Sequence, residues 1–181
     1  MIKAEFSTDM LKMIKGMVGR TLCSYECENM ISGEAYGNMQ INLDGYSIEI
    51  LNEVTELPFY DSTEDISCFT CKLKTPGEFF EPYCEGTSEK HFINENILSV
   101  CIVEDSISVN DGDYDIKFDM ALIIETSKHK YMFSRGWFFS EIIDISVDKE
   151  FGCIYPIDRV IEDWSDDGDN KVNVTRTVRK L

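Results

Sequence analysis

Histidine, proline and cationic side chains are scarce in this 181-residue sequence. It has two histidines, four prolines, and 17 Lys and Arg against 34 Asp and Glu, which gives a formal net charge of -17 at pH 7. This balance argues against direct binding of nucleic acid, because such a protein must bring cations to the phosphates. The two histidines, His91 and His129, lie in no HExxH motif and have no partner histidine at metal-ligand spacing.

Catalytic and targeting motifs are also missing. The sequence contains no GxSxG, no GxGxxG and no P-loop. Its first 20 residues interrupt their apolar positions too often for a signal peptide, and no stretch approaches the roughly 18 apolar residues of a membrane span. We therefore expect a soluble, cytoplasmic, non-enzymatic protein with no membrane partner, no cofactor, no catalytic residue and no metal site.

The hydrophobic pattern nevertheless predicts a folded protein. Hydrophobic residues make up 43% of the sequence, far more than in a disordered acidic tail. Apolar residues recur with helical spacing in two short segments and alternate along most of the chain between them. The predicted fold is one α+β domain over residues 1–181, mostly an antiparallel twisted sheet of about seven or eight strands in hairpins and meanders. Its parts are an amphipathic N-terminal helix 7–19, the sheet 21–147, a short C-terminal helix 156–164 and a basic tail 171–181.

Two Asp-Gly dipeptides, at positions 44–45 and 111–112, predict hairpins with tight turns. The first turn predicts the apolar pairs Leu43 with Tyr46, Ile41 with Ile48 and Met39 with Ile50. The second predicts Val109 with Tyr114, Ile107 with Ile116, Val103 with Met120 and Cys101 with Leu122. On its other face Glu104 lies opposite Asp119, a like-charge pair that is unfavourable unless a cation lies nearby.

The seven cysteines form an odd set, which favours reduced thiols over a disulfide framework. A zinc site is the alternative, with the four thiolates of Cys23, Cys27, Cys68 and Cys71 as ligands. Because the segment around Cys68 and Cys71 is predicted to be a strand, these two side chains would point to opposite faces, and we favour buried thiols. The run DDGDN at 166–170 resembles half of a calcium loop but lacks the closing Glu.

The acids are concentrated in three segments. Residues 21–71 contain ten acids and no Lys or Arg, and residues 75–116 and 136–170 contain ten acids each against one and two cations. On a strand, side chains of one face recur at about 7 Å, close to the phosphate spacing of a nucleic-acid strand, so that acids can form phosphate-like rows. The predicted partner-binding acids are Asp44, Glu49, Glu53, Glu56, Asp61, Glu64, Asp65, Glu104, Asp113, Asp115 and Asp119.

Two interpretations of this acidity stay open. The acids either serve solubility alone, or they bind a basic partner that relieves their mutual repulsion. The basic tail also has two interpretations, a flexible arm that contacts nucleic acid or a final strand whose cations face the acidic sheet, and its alternating valines favour the strand. The tail cations are Lys171, Arg176, Arg179 and Lys180. In the segment 137–139, aromatic side chains could stack on bases, although we expect two of the three to enter the core.

In overall character the sequence resembles the small acidic proteins that phages use against host nucleic-acid machinery, especially the anti-CRISPR inhibitors of Cas9. The resemblance rests on the size, the charge of -17, the acid-only segment 21–71 and the lack of a recognisable active site. It matches no diagnostic motif and transfers no site residue. It implies an inhibitor in the host bacterial cytoplasm whose carboxylates occupy a basic DNA or RNA channel of the Cas9–guide RNA complex. The +4 tail departs from a pure DNA mimic and leaves room for contact with guide RNA or target DNA.

Two other functions remain as alternatives. An immunity protein that neutralises a cationic toxin would use similar electrostatics. A metal-dependent enzyme could assemble from the carboxylates of Glu104, Asp113, Asp115 and Asp119, although with 34 acids in the chain some proximity is expected by chance.

Overall fold

The computed structural model describes residues 1–28, 33–75, 78–84, 86–165 and 169–181. It has eleven strands in one sheet and three short helices. In chain order the elements are β1 (Ile2–Ala4), α1 (Thr8–Lys15), β2 (Thr21–Glu28), β3 (Glu34–Tyr36), β4 (Asn38–Leu43), β5 (Ser47–Phe59), β6 (Ser62–Lys74), β7 (Ser88–Val109), β8 (Tyr114–Thr126), β9 (Lys130–Arg135), β10 (Ile142–Val147), α2 (Phe151–Ile154), α3 (Ile157–Trp164) and β11 (Val172–Lys180).

The sheet is mostly antiparallel, as predicted, but it has more than the predicted seven or eight strands. Its order is β3-β10-β9-β8-β7-β2-β4-β5-β6, with β1 parallel to β8 and β11 antiparallel to β7. The 22-residue β7 pairs with β2 through its first half and with β8 and β11 through its second half. The sheet therefore extends beyond the predicted 21–147 to strands near both ends of the chain.

The sheet folds back on itself at Gly37. This residue alone separates β3, at one end of the strand order, from β4 in the middle of it. Its N–H donates to the Glu141 carbonyl and its carbonyl accepts from the Asn52 N–H. Gly37 has a φ of +72°, and a Cβ there would lie 2.3 Å from the Tyr83 ring, so both the backbone conformation and the packing of Tyr83 require glycine.

The β7–β8 hairpin is buried on both faces near its base, in agreement with its apolar sequence there. One face contributes Ile102 and Leu122 to a core that also contains Ile14 of α1 and Met17 from the turn after it. The opposite face belongs to a second core under α2 and α3, whose members from these helices include Phe151, Val160 and Trp164. Each side of the sheet therefore needs its own helical cover.

The helices are shorter than the sequence pattern suggested. The predicted helix 7–19 is helical only over Thr8–Lys15, because Gly16 caps it and tight turns follow to Arg20. In the predicted 156–164 segment, α3 covers Ile157–Trp164, and the four-residue α2 before it had no periodic signal. Among the described residues, none of the helices has the length and hydrophobicity to cross a lipid bilayer.

The registers of both hairpins follow from their Asp-Gly turns, up to a bulge in the second. In β4–β5 the predicted pairs of Ile41 with Ile48 and of Met39 with Ile50 are confirmed. In β7–β8 the predicted pairs hold from the turn as far as Glu104 and Asp119. A bulge then shifts the register, so that Val103 pairs with Ala121 and Cys101 with Ile123; the predictions of Met120 and Leu122 as their partners were wrong, because no turn signal marks a bulge.

The basic tail is a strand, and its arginines form ion pairs inside the molecule. The Arg176 guanidinium binds the Asp105 carboxylate through both oxygens, with Nε–Oδ1 at 2.7 Å and Nη2–Oδ2 at 2.6 Å. It also donates to the Tyr155 carbonyl and lies 4.4 Å from the centroid of the Phe151 ring. Asp105 has no exposed surface, so this pair joins β11 and α2 to the central strand β7.

We expect Arg176→Ala to lower the free energy of unfolding by about 3–5 kcal/mol, because the Asp105 charge would stay buried without a partner. Lys180→Ala is the control on the same strand, since this exposed lysine forms no ion pair with any described residue, and it should change stability by less than about 0.5 kcal/mol. Urea unfolding of both variants measures the difference. Equal stability of the two variants would contradict a structural role for the pair.

Candidate functional site: an acidic end of the sheet

Two hairpin turns meet at one end of the molecule. The Tyr60 ring, in the β5–β6 turn, stacks on the Tyr114 ring, at the start of β8, with centroids 5.0 Å apart. The Tyr114 hydroxyl donates to the Pro58 carbonyl at 2.8 Å, and Phe59 packs against Tyr114 edge to face. Acids that flank these residues in sequence are therefore brought together at the same end.

We call this surface the acidic end and define it by six of the predicted partner-binding acids. They are Glu56, Asp61, Glu64, Asp65, Asp113 and Asp115. Five of them are exposed, and Asp115 is half-buried. In the part of the chain that the structure describes, no nitrogen of Lys, Arg or His lies within 4.0 Å of any of these carboxylates. The acidic end therefore carries negative charge that the protein itself does not neutralise.

A like-charge pair stands within the acidic end. Glu56 on β5 is directly opposite Asp65 on β6, and both side chains are exposed. Carboxylates in this cross-strand position repel one another, and each such pair costs a few tenths of a kcal/mol or more. The repulsion persists here because the nearest strand neighbours supply no cation.

The predicted like-charge pair of Glu104 with Asp119, unlike the pair of Glu56 with Asp65, has cations beside it. Lys117 donates to Glu104 at 2.7 Å, and Arg179 lies 3.5 Å from Asp119. Burial is the largest single influence on Glu104 and opposes its ionisation, but the hydrogen bonds with Lys117 and Glu5 and the charges of Lys117 and Arg179 together lower the pKa of this carboxyl. Glu104 and Asp119 are thus neutralised within the fold.

Asp119 itself has no exposed surface. Its Oδ2 accepts a hydrogen bond from the Phe6 backbone N–H at 2.6 Å, while Oδ1 faces Arg179 without a hydrogen bond. Burial raises the pKa of the Asp119 carboxyl to about 6, although the Phe6 bond and the Arg179 charge oppose the rise. Asp119 cannot contact a partner in this fold, contrary to its predicted role.

The remaining predicted acids lie away from the acidic end. Asp44 is at the opposite end of β5, roughly 40 Å of strand away, where it accepts from the Thr21 N–H. Glu49 is only 4% exposed, and its carboxylate binds Lys72 at 3.0 Å. Glu53 is half-buried in the middle of β5. These residues were predicted to bind a partner together because strand alternation does not show which positions other parts of the fold bury.

Most of the predicted nucleic-acid contacts in the tail are occupied. Lys171 binds Asp111 at 2.8 Å, and Arg176 and Arg179 bind buried acids as described above. Lys180 is exposed. Three of the four tail cations therefore form ion pairs with acids of the protein itself.

The cysteines of the alternative zinc site are not brought together. Strands β2 and β6, which carry the two pairs, are separated by β4 and β5 in the sheet. Cys71 belongs to the core with α1, whereas Cys68 faces the second core, as expected for positions three apart on a strand. In the described ranges no group of three or more His, Cys, Asp or Glu side chains could hold a metal ion. Residues 166–168 of the calcium-like run lie outside the described residues.

Aromatic residues around the acidic end were not recognised from the sequence. Phe59 and Tyr60 come from the end of β5 and its turn, Trp164 comes from the end of α3, and the three form a contiguous cluster with Tyr114. Of the aromatic triplet 137–139, only Phe138 enters the core, whereas we expected two of the three; Trp137 is 43% and Phe139 is 39% exposed. The only sequence signal was the aromatic pair of the segment LPFYD next to an acid.

We expect the Asp119→Asn variant to reveal a pH-dependent cost of the buried carboxyl. Its pKa is about 6 when folded and near 3.8 otherwise, so the contribution of Asp119 is most favourable below about pH 4 and is lost as the pH rises through 6. The free energy of unfolding of wild type relative to Asp119→Asn should fall by about 2–3 kcal/mol between about pH 4 and pH 7. Denaturant unfolding across this range measures it, and a constant difference would show that the Asp119 pKa is not raised.

We expect removal of the exposed like-charge pair to stabilise the protein. The double variant Glu56→Gln/Asp65→Asn should gain about 0.3–1 kcal/mol at low salt, because the repulsion disappears. The gain should shrink near 1 M salt, where screening is strong. Thermal unfolding at both salt concentrations tests this, and destabilisation of the double variant would mean that these acids make stabilising contacts instead.

Comparison of the chain with protein-family models, with curated proteins and with solved structures finds no match. The geometry and charges described above are therefore the basis for a functional proposal.

Proposed function

We propose that this protein is a non-enzymatic acidic inhibitor that binds a basic nucleic-acid-handling protein, most concretely a Cas9 effector loaded with guide RNA. The observation that carries the proposal is the acidic end, in which two hairpin turns bring six carboxylates together with no ion-pair partner among the described residues. Such a surface fits a channel that Arg and Lys line for the phosphates of DNA or RNA.

The contrast between the two like-charge pairs supports a binding role over solubility alone. Lys117 and Arg179 compensate the Glu104–Asp119 pair, whereas Glu56 and Asp65 repel one another without compensation. Solubility requires acidic residues on a surface but not their convergence at the cost of stability. A cationic partner would relieve this repulsion on binding. Attraction between the opposite charges would also raise the association rate.

The positions of the acids suit phosphate mimicry at short range. Along β6, Glu64 and Asp65 point to opposite faces of the hairpin, so a groove could contact both sides of it. In the adjoining hairpin Asp113 lies in the turn and Asp115 is the second residue of β8, so both are close to the tip of that hairpin. In this proposal the partner groove encloses the β5–β6 turn, the protein acts in the bacterial cytoplasm, and Lys180 is the tail cation left for nucleic acid.

A cleavage assay with purified guide-loaded Cas9 and target DNA tests the specific form. We expect a large excess of the protein to block cleavage, and the triple variant Glu56→Gln/Asp65→Asn/Asp113→Asn to bind the complex at least about tenfold more weakly. The charge-matched control Asp9→Asn/Glu81→Gln/Glu89→Gln removes three exposed acids away from the acidic end and should bind within about twofold of wild type. Unchanged cleavage at large excess would refute Cas9 as the partner.

The broader form is tested by capture of partners from bacterial lysate at low and high salt. The complex should weaken steeply between about 50 mM and 500 mM salt, because exposed charges are screened over this range. Capture of a secreted cationic toxin in place of a nucleic-acid-handling protein would favour the immunity-protein alternative. A complex that is insensitive to salt would contradict both electrostatic functions.

A further inference from the structure

An aromatic cleft adjoins the acidic end. It encloses about 450 Å³ between the β5–β6 turn, the segment after β9 and the end of α3. Among the described residues its lining includes four aromatic side chains, a carboxylate and an amide, namely Phe59, Tyr60, Phe139, Trp164, Asp163 and Asn170. Because Tyr60 precedes Asp61 in the same turn, the cleft and the acidic end form one continuous surface.

The rings of the cleft are fixed from behind by other rings. Tyr114 stacks between Tyr60 and Trp164, with centroids 5.0 Å and 5.8 Å away. Phe59 lies edge to face against Tyr60 at 4.9 Å. The faces of aromatic rings carry negative potential, so a rigid cluster of rings attracts a cation that comes to lie against it.

The carboxylate in the lining is also held in position. Asp163 Oδ2 accepts a hydrogen bond from the Tyr155 hydroxyl at 2.5 Å. Arg159, one turn earlier on α3, stacks on the Tyr155 ring at 5.1 Å and lies beyond ion-pair distance of Asp163. The negative charge of Asp163 is thus available to a ligand in the cleft.

Trp164 contributes its ring to the cleft and not its N–H group. Its side chain is only 7% exposed, and the indole Nε1 is buried with no acceptor among the described residues. The groups that the cleft offers to a ligand are therefore the aromatic rings and the Asp163 carboxylate, and both favour a cation.

The protein already binds one of its own arginines in this way. Arg176 lies over the Phe151 ring, pairs with the Asp105 carboxylate and contacts the Tyr155 carbonyl. Arginine suits such a site better than lysine, because its planar guanidinium stacks on rings and pairs with a carboxylate through two N–H groups. The cleft offers the same combination of groups, aromatic rings with a carboxylate, to a side chain of another protein.

We propose that the cleft binds an arginine side chain of the basic partner, with the guanidinium between the aromatic rings and the Asp163 carboxylate. This inference rests on the proposed function and names the contact that anchors the partner beside the acidic end. Anchors of this kind in aromatic pockets dominate many protein interfaces. The surrounding carboxylates then provide attraction at longer range.

The test uses Trp164 fluorescence in a Trp137→Phe background, so that Trp164 is the only tryptophan of the chain. The probe is the peptide acetyl-Gly-Arg-Gly-amide, compared with the same peptide carrying citrulline or lysine and with choline. We expect the arginine peptide to bind at least about fivefold more tightly than each of the other three, as a desolvated cation–π and ion-pair contact would give. Equal binding of the citrulline peptide, or tighter binding of choline, would overturn the proposal.

Two variants locate the binding in the cleft. Phe139→Ala removes a partly exposed ring and Asp163→Asn removes the charge, and each should weaken binding of the arginine peptide at least about fivefold. The control Phe79→Ala removes a highly exposed ring elsewhere and should leave binding unchanged. If neither cleft variant weakens binding of the arginine peptide, the proposal is also overturned.

The same variants separate this inference from the proposed function. If the cleft variants and the control bind the captured partner equally, while the acidic-end triple variant does not, the cleft inference fails and the proposed function stands. If the arginine peptide binds selectively but no basic partner is captured, the proposed function fails and the cleft remains an arginine site.

Discussion

The ion pair between Arg176 and Asp105 is the contact on which the rest of the fold depends. A carboxylate without exposed surface on the central strand is tolerated only with a cation beside it, and residues 21–71 contain none. The cation is Arg176, which lies in the basic segment 171–181. Its guanidinium also binds the carbonyl and ring that position α2, so one side chain holds β11, β7 and the helical cover of the second core together.

Four cations of the chain pair with buried or half-buried acids, and these pairs influence where uncompensated negative charge remains. Arg176, Arg179, Lys117 and Lys72 neutralise acids that the sheet buries. What is left over is not spread evenly, because the stacking of Tyr60 on Tyr114 gathers the uncompensated carboxylates of two turns. Six of the carboxylates that have no ion-pair partner among the described residues thus lie at one end of the molecule, next to a cleft of aromatic rings.

Local sequence signals predicted much of this structure. Features that depend on contacts between distant segments were not predicted. An Asp-Gly turn fixes the pairs of β4–β5 because side chains alternate strictly from the turn outward. The bulge after Glu104, the parallel pairing of β1 and the fold-back at Gly37 depend on partners far along the chain. For the same reason the sequence identified the six carboxylates of the acidic end but also included Glu49 and Asp119, whose burial depends on tertiary packing.

The separation of Asp105 and Arg176 by 71 residues has a consequence for synthesis of the chain. At roughly 5–20 residues per second, the ribosome adds the arginine about 4–14 s after the aspartate. During this interval the β7–β8 hairpin can form, but its central acid lacks its counter-ion and stays in water. The second core therefore closes late in translation, after the strand that covers it has been made.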